Sequence, residues 1–386
     1  MPSHKITDPI AAEDLIRGLA FMGTGGGGRP DAGREYIYRD MAQGLALTWT
    51  DVADLPDDGW ACSVFSVGST APRPADFVQR ESTPGYGARD VGSAMPRALR
   101  ELESYTGKPI SVVFAIELGA HNSVGPLHTA AVLGLKLVDG DASGRAVPEA
   151  SQVTPEMAAH TLWPAAICDE WGNAMILARA TSLDVAERVA KGMSIVTKMP
   201  DPYAICGVAA YLMPVAEMKR GLVLCTLSRS LELGQIIRQA RQAGEDPVAA
   251  AAQFVGGWVL FRGAVQRREW QNTGGYQIGT TAIAGAGDYA GRDFRIWFKN
   301  EHHITWRDGQ PFVTSPDLLA VVDSTTGEPI TNTYLAEGMA VAVVGAAAPA
   351  AFRTAAGIAS LGPGHFGFDM PYRPIESWIS GGSHDG

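Results

Sequence analysis

Side chains able to do chemistry together are concentrated in two stretches. The first opens Glu117-Leu-Gly-Ala-His121-Asn122, passes His128, and continues as Val138-Asp-Gly-Asp141, Gly144-Arg145 and Pro148-Glu149; the second is Phe298-Lys-Asn300-Glu301-His302-His303. A positioned carboxyl group can act as general acid or base. Imidazole nitrogen and carboxylate oxygen suit a divalent metal such as zinc, which lowers the pKa of bound water to ~7. Glu117, Glu301 and Asp141 are therefore candidate catalytic acids or bases, and His121, His128 and His302 are candidate ligands of a divalent metal, zinc. The histidine spacing matches no closed zinc module and no His-Glu-x-x-His pattern, and any one histidine is more often a hydrogen-bonded structural residue. His302 and His303 are neighbours in a predicted strand and must face opposite sides, so one of them, His302, is assigned to the site. Cys225 offers a different chemistry, a thiol nucleophile with a histidine as base, although cysteine is more often buried filler.

Other residues could hold a substrate. The run Gly23-Thr24-Gly25-Gly26-Gly27-Gly28 follows a predicted helix, where a nucleotide-phosphate loop follows a strand, and no Lys-Ser/Thr comes after it. Its amides and the start of the next predicted helix, Asp31 to about Gln43, could hold an anion; a tight helix-to-helix turn is the competing reading. Arg145 could grip a carboxylate through two parallel hydrogen bonds or pair with Asp139 or Asp141. Asn122 and Asn300 complete the substrate-binding candidates.

These groups need a scaffold that makes them converge. Ser111–Ile116 and Leu135–Val138 read as buried strands ending in acids, joined by a helix over Asn122–Gly134. A parallel pair with a crossover helix puts both strand ends on the edge where open α/β sheets bind ligands. Further predicted strands, Leu45–Thr50 and Trp60–Val67, and helices from Ile10 and over Ser93–Thr106 give a three-layer α/β domain over residues 1–172. Gly68–Gly92 is a long loop rich in proline and glycine. A hairpin, Thr161–Cys168 with Asn173–Ala180, opens the second region, 173–380, which carries helices over Ser182–Val196 and Ser228–Ala243. Its predicted strands, Trp258–Gln266, Tyr276–Ala284, Phe294–Trp306, Leu318–Asp323 and Gly338–Gly345, are spaced as in a β sandwich or barrel. Gly381–Gly386 is read as a frayed tail.

The 386 residues carry a formal net charge of −10 with no basic run, which excludes the electrostatic footprint of a nucleic-acid binder. Four scattered cysteines fit neither a zinc ribbon nor a disulfide framework and point to a reducing, cytoplasmic setting. Acids near the amino terminus argue against a secretory signal, and no window approaches ~20 uncharged apolar residues, so no membrane is expected.

Taken in order, Gly23–Gly28, Glu117-Leu-Gly-Ala-His-Asn122, Val138-Asp-Gly-Asp141, Gly144-Arg-Ala146, Pro148-Glu149, Asn300-Glu301, Pro316-Asp-Leu318, Thr326-Gly-Glu-Pro-Ile330, Gly362-Pro363 and Phe366-Gly367 resemble the signature of the S-methyl-thiohydantoin desulfurase family. The resemblance runs from about Ile10 to Tyr372. It implies an α/β domain followed by a mainly β domain with inserted helices, and bacterial catabolism of small cyclic substrates beside hydantoinase or oxoprolinase subunits. The expected activity is hydrolysis of a five-membered cyclic thioimidate or amidine by a homo-oligomer using metal-activated water. The alternative is a non-catalytic binding or scaffold subunit of a hydantoinase/oxoprolinase-type complex.

Overall fold

The computed structural model describes residues 4–68, 89–197 and 205–380. The expected loop Gly68–Gly92 lies mostly, and the expected tail Gly381–Gly386 wholly, outside the described residues.

The chain begins with β1 (His4–Lys5), α1 (Pro9–Met22), α2 (Pro30–Ala42), β2 (Thr48–Trp49) and β3 (Trp60–Gly68), then α3 (Ala94–Thr106), β4 (Ile110–Ala115), α4 (Val124–Leu133) and β5 (Lys136–Asp141). It continues through a short α5 (Thr154–Met157), the hairpin β6 (Ala165–Cys168) and β7 (Ala174–Leu177), α6 (Leu183–Thr197), β8 (Ile205–Pro214), α7 (Val215–Gly221) and β9 (Val223–Leu224). Strands β3 to β9 form one sheet in the order β7-β6-β8-β3-β4-β5-β9, in which β3, β4 and β5 run parallel. The crossover between β4 and β5 is α4, which stops where Gly134 takes a φ of +68° that a side chain would resist.

Side chains alternate across this sheet as period-2 burial demands. Cys62, Val64 and Val113 pack beneath α1 to α4, while Phe65, Val112 and Phe114 face α6 and α7. Helices therefore cover both faces, giving three layers. The hairpin β6–β7, expected to open the second region, instead completes the first sheet, because β8 runs antiparallel between β3 and β6 and pairs with both.

After α8 (Thr226–Ala243) and α9 (Pro247–Phe254) come β10 (Trp258–Thr273), β11 (Tyr276–Gly285), β12 (Asp293–Lys299), β13 (Glu301–Arg307), β14 (Gln310–Thr314), β15 (Leu318–Asp323) and β16 (Ala340–Ala346), then α10 (Ala355–Leu361) and α11 (Ile375–Ser380). The second sheet is antiparallel in the order β14-β13-β12-β11-β10-β16-β15. It curls so that His302 Nδ1 on β13 lies 3.1 Å from Leu319 O on β15, at the other end of the strand order. Phe261, Phe294, Phe312 and Val343 fill the concave side; Ala320, Val322 and Val344 pack outward on Phe21, Leu233 and Val248 of α1, α8 and α9. The predicted single run Phe294–Trp306 is two strands. Asn300 breaks it at φ +57°, a left-handed conformation that asparagine tolerates, and its Oδ1 accepts from Gln277 N at 2.9 Å.

Helix α1 starts at a sequence-legible cap, with Asp8 Oδ1 accepting from Ala11 N at 2.9 Å and Pro9 in the first turn. It joins the two sheets by crossing α8 at glycine distance. A Cβ on Gly18 would sit 1.7 Å from Ser230 O, and one on Gly234 would sit 1.8 Å from Asp14 O. Among the described residues no helix is long and apolar enough to cross a membrane. Gly234→Ala forces these backbones apart and is expected to destabilise the protein by about 1–3 kcal/mol, read as a lower denaturant midpoint at unchanged slope.

Candidate active site in the interdomain cleft

Glu117 follows β4, and Glu301 is the first residue of β13, so each comes from a different sheet. Both line one cleft, together with Gly27, Gly28, Asn122, Glu149, Lys191 and Asn300.

The two carboxyls are held differently. Glu117 Oε1 accepts from Asn122 Nδ2 at 2.5 Å and Oε2 from Val147 N at 2.6 Å. Among the described residues, Glu301 Oε1 accepts only a long 3.3 Å bond from Gly27 N, and its buried Oε2 has no partner. Burial pushes the Glu117 carboxyl up to about 7, with the hydrogen bonds from Val147 and Asn122 opposing and the Asp141 charge adding. Burial, then the charge of Glu117, drives Glu301 well above the usual carboxylate range, against the pull of Arg145 and the Gly27 amide. Hydrogen-bond donors favour the ionised form, so Glu117 is the better carboxylate and Glu301 the better carrier of the proton.

The glycine run joins the two domains. Thr24 O accepts from His302 N at 2.8 Å, Gly25 O from Asn332 N at 2.7 Å, and Gly27 O from both His121 N and Asn122 N at 3.2 Å. The anion its amides meet is the protein's own Glu301. Space explains the composition: a Cβ on Gly26 would lie 1.8 Å from Glu301 Oε1, and one on Gly28 2.5 Å from His121 Cβ. Thr24, Gly25 and Gly26 are not among the cleft-lining residues; Gly27 and Gly28 are.

Arg145 is fully buried and sealed off from the cleft. Its Nε donates to Ala146 O, Nη1 to Pro316 O and Asp317 O, and Nη2 to Thr24 Oγ1 and His302 O, over 2.9–3.3 Å. All five donors are used within the protein, so the expected grip on a substrate carboxylate is corrected to a cross-domain clamp. Burial lowers its pKa to about 10, while Glu301, Asp317 and Glu117 favour its charge. Asp141 also serves structure: Oδ1 accepts from Ser143 N and Gly144 N at 2.7 and 2.6 Å, in the loop leading to Arg145. Burial raises its pKa to about 6.

The three histidines do not assemble into a metal site. His128 has Nδ1 2.8 Å from Asp40 Oδ2 and Nε2 3.1 Å from Gly92 O, so acceptors face both nitrogens. His302 spends Nδ1 on Leu319 O and Nε2 on Asn332 Oδ1. His121 packs edge-on to Tyr36, and burial lowers its pKa to about 4. Cys225 is exposed and is not among the cleft-lining residues; burial of the sulfur, then the charges of Asp139 and Asp51, raise its pKa.

A different group could coordinate a divalent metal. Among the described residues, His4, Asp51 and Asp139 bring donor atoms together, with His4 Nε2 3.4 Å from Asp51 Oδ1 and 4.0 Å from Asp139 Oδ2. Such spacing fits ligands that each lie about 2.0–2.2 Å from a shared ion. Asp139 also caps α8, accepting from Leu227 N, Ser228 N and Ser228 Oγ. None of the three lines the cleft.

Several groups at the cleft escaped sequence reasoning. Glu149 pairs with Lys299 and, at 3.0 Å, with His365; burial works to raise its pKa, but these partners hold it down to about 2. Lys191 pairs with Glu187 at 2.7 Å and lies 3.4 Å from the centroid of the Tyr276 ring. Glu149 belongs to the motif Pro148-Glu149 and Lys299 stands next to Asn300, so the signal was present although neither residue was assigned a role.

The architecture defines a two-domain α/β-plus-β protein with a buried carboxyl pair in the interdomain cleft. The family model described as S-Me-THD-like, N-terminal domain matches residues 10–179, and the one described as S-Me-THD-like, C-terminal domain matches residues 182–375; the chain belongs to this family. The fold is similar to an X-ray crystal structure of a protein from Chromobacterium violaceum, with TM-score 0.74 and 23% identity over 97% of this chain and 100% of that one. No curated protein matches the chain.

Two outcomes follow. Because folding raises the Glu117 pKa from 4.5 to about 7, the stability contributed by its proton is complete below 4.5 and is lost as pH rises through about 7. Glu117→Gln should flatten this loss in denaturant midpoints measured from pH 5 to 8. Arg145→Lys has three donors for five acceptors and should lower stability by about 2–4 kcal/mol, measured by thermal or chemical unfolding.

Proposed function

We propose that this protein is a hydrolase of a small five-membered cyclic thioimidate or amidine, acting in the interdomain cleft through Glu117 and Glu301. One observation carries the reading: two buried carboxyls from different domains face the same cleft, one supplied with hydrogen-bond donors and the other nearly without them. Family membership supports a hydrolase-type role and a substrate related to thiohydantoins.

The ring carbon between two heteroatoms is electrophilic but resonance-stabilised, so hydrolysis needs a base for water and an acid for the leaving atom. The Glu117 carboxylate takes a proton from water as its oxygen bonds to that carbon. Protonated Glu301 gives its proton to the sulfur or nitrogen as the bond to carbon breaks. The pair then holds the same single proton on the opposite member and resets by exchange with water. Asn122 and the Val147 amide orient Glu117, and the Gly27 amide orients Glu301. Asn300 and the amide of Gly28 are the proposed contacts for the ring's polar atoms.

Zinc is the ion proposed for His4, Asp51 and Asp139, where it would supply Lewis acidity and a water of pKa ~7. None of these ligands borders the cleft, so the hydrolytic steps are assigned to the carboxyls. Cytoplasmic location, self-association and a hydantoinase- or oxoprolinase-type neighbour belong to the same reading.

Turnover of a panel of cyclic thioimidates and amidines by the purified chain tests it. Glu117→Gln and Glu301→Gln should each lower kcat by about 10²-fold or more with little change in KM. The rate should rise as pH passes about 7, where Glu117 ionises, and fall at the higher pH where Glu301 loses its proton. Full activity in both variants, or activity abolished by His4→Ala and restored by added zinc, would remove the carboxyl pair from the chemistry.

A further inference from the structure

On the other side of the chain segment that carries Glu117 lies a second cavity of about 250 Å³, also between the two sheets. Its walls include Met22 of α1, Leu118 next to Glu117, Leu233 of α8, Phe254 of α9 and Leu318 of β15. Apolar walls at this size suit a small organic ligand and disfavour a sugar or a polyanion.

Two cations border the cavity. The donors of Arg145 are all used within the protein, as described above. Arg229, exposed in the first turn of α8, lies over the Phe254 ring at 5.2 Å and makes no ion pair or side-chain hydrogen bond among the described residues. The Ser230 hydroxyl is turned inward, donating to Thr226 O at 2.7 Å. The charged group left for a ligand is thus one guanidinium at the edge of an apolar chamber, whose wall also carries the buried Thr226 hydroxyl. A guanidinium is matched by the two oxygens of one carboxylate.

We propose that this cavity binds a small apolar monocarboxylate, with its hydrocarbon part against Leu118, Leu233 and Phe254 and its carboxylate on Arg229. The site is separate from the carboxyl cleft and does not depend on the hydrolase reading, since binding is measured without turnover.

Titration calorimetry with octanoate, and with octylammonium as the charge-reversed probe, tests the proposal on the full chain. Octanoate should bind one per chain, and octylammonium about tenfold more weakly or not at all. Arg229→Gln, at an exposed position, should weaken octanoate about fivefold. Ala347→Trp, which fills the exposed rim, should abolish binding; Leu224→Trp at the same rim is the second filling variant, and melting curves verify that each variant is folded. Absence of octanoate binding, equal binding of the two probes, or octanoate affinity unchanged in both folded tryptophan variants would overturn the proposal. So would a concentration-dependent self-association that Ala347→Trp removes while octanoate fails to bind.

Discussion

The interlock between residues 24–28 and Arg145 is the constraint on which this structure turns. Backbone bonds tie the Thr24 carbonyl to His302, Gly25 to Asn332 and Gly27 to the turn after Glu117, while the Arg145 guanidinium reaches Thr24, His302 and the Pro316–Asp317 backbone from beneath. A buried acceptor deprived of its donor costs about 1–3 kcal/mol, so the clamp is stiff because so many partners would be lost together. It holds a carboxyl from each domain against the same cleft. The glycines follow from distance, since the Glu301 carboxyl occupies the place where a side chain at Gly26 would be.

The electrostatics follow from that packing. Two acids removed from water beside each other cannot both ionise cheaply, and the asymmetry of their donors decides which one keeps its proton. Arg145 is close enough to favour negative charge on both but is committed to carbonyls and a hydroxyl, so it tempers the pair without forming a salt bridge with either. At the cleft, Glu149 is matched by Lys299 and Glu187 by Lys191, so the unbalanced charge a substrate meets is that of the carboxyl pair.

Much of the architecture was legible because it rests on local signals. Strand alternation around Val112, Val113 and Phe114, the Asp8-Pro9 helix start and the glycine stop at Gly134 can each be read within a few residues. The placement of β8 could not be read that way, since pairing with both β3 and β6 is a long-range choice. For the same reason Phe294–Trp306 read as one strand: a single left-handed asparagine reverses it, and residue type alone does not announce that conformation. Among chemical groups, Glu117 could be anticipated as an acid at a strand end and Glu301 from its place beside Asn300 and the paired histidines. The histidines misled because imidazole serves equally as ligand and as structural donor, and only the neighbours Asp40, Gly92, Leu319 and Asn332 show which role is taken.

The close crossing of α1 and α8 bears on how the chain comes together during synthesis. The first helix emerges early, yet the surface it must touch is made more than half the chain later, and the slot between β3 and β6 also stays open until β8 arrives. Contacts so distant along the chain slow folding. The amino-terminal half therefore waits, with an unpaired strand edge and an unmet helix face, for its continuation; two regions that look separable as sequence modules reach the native state as one unit.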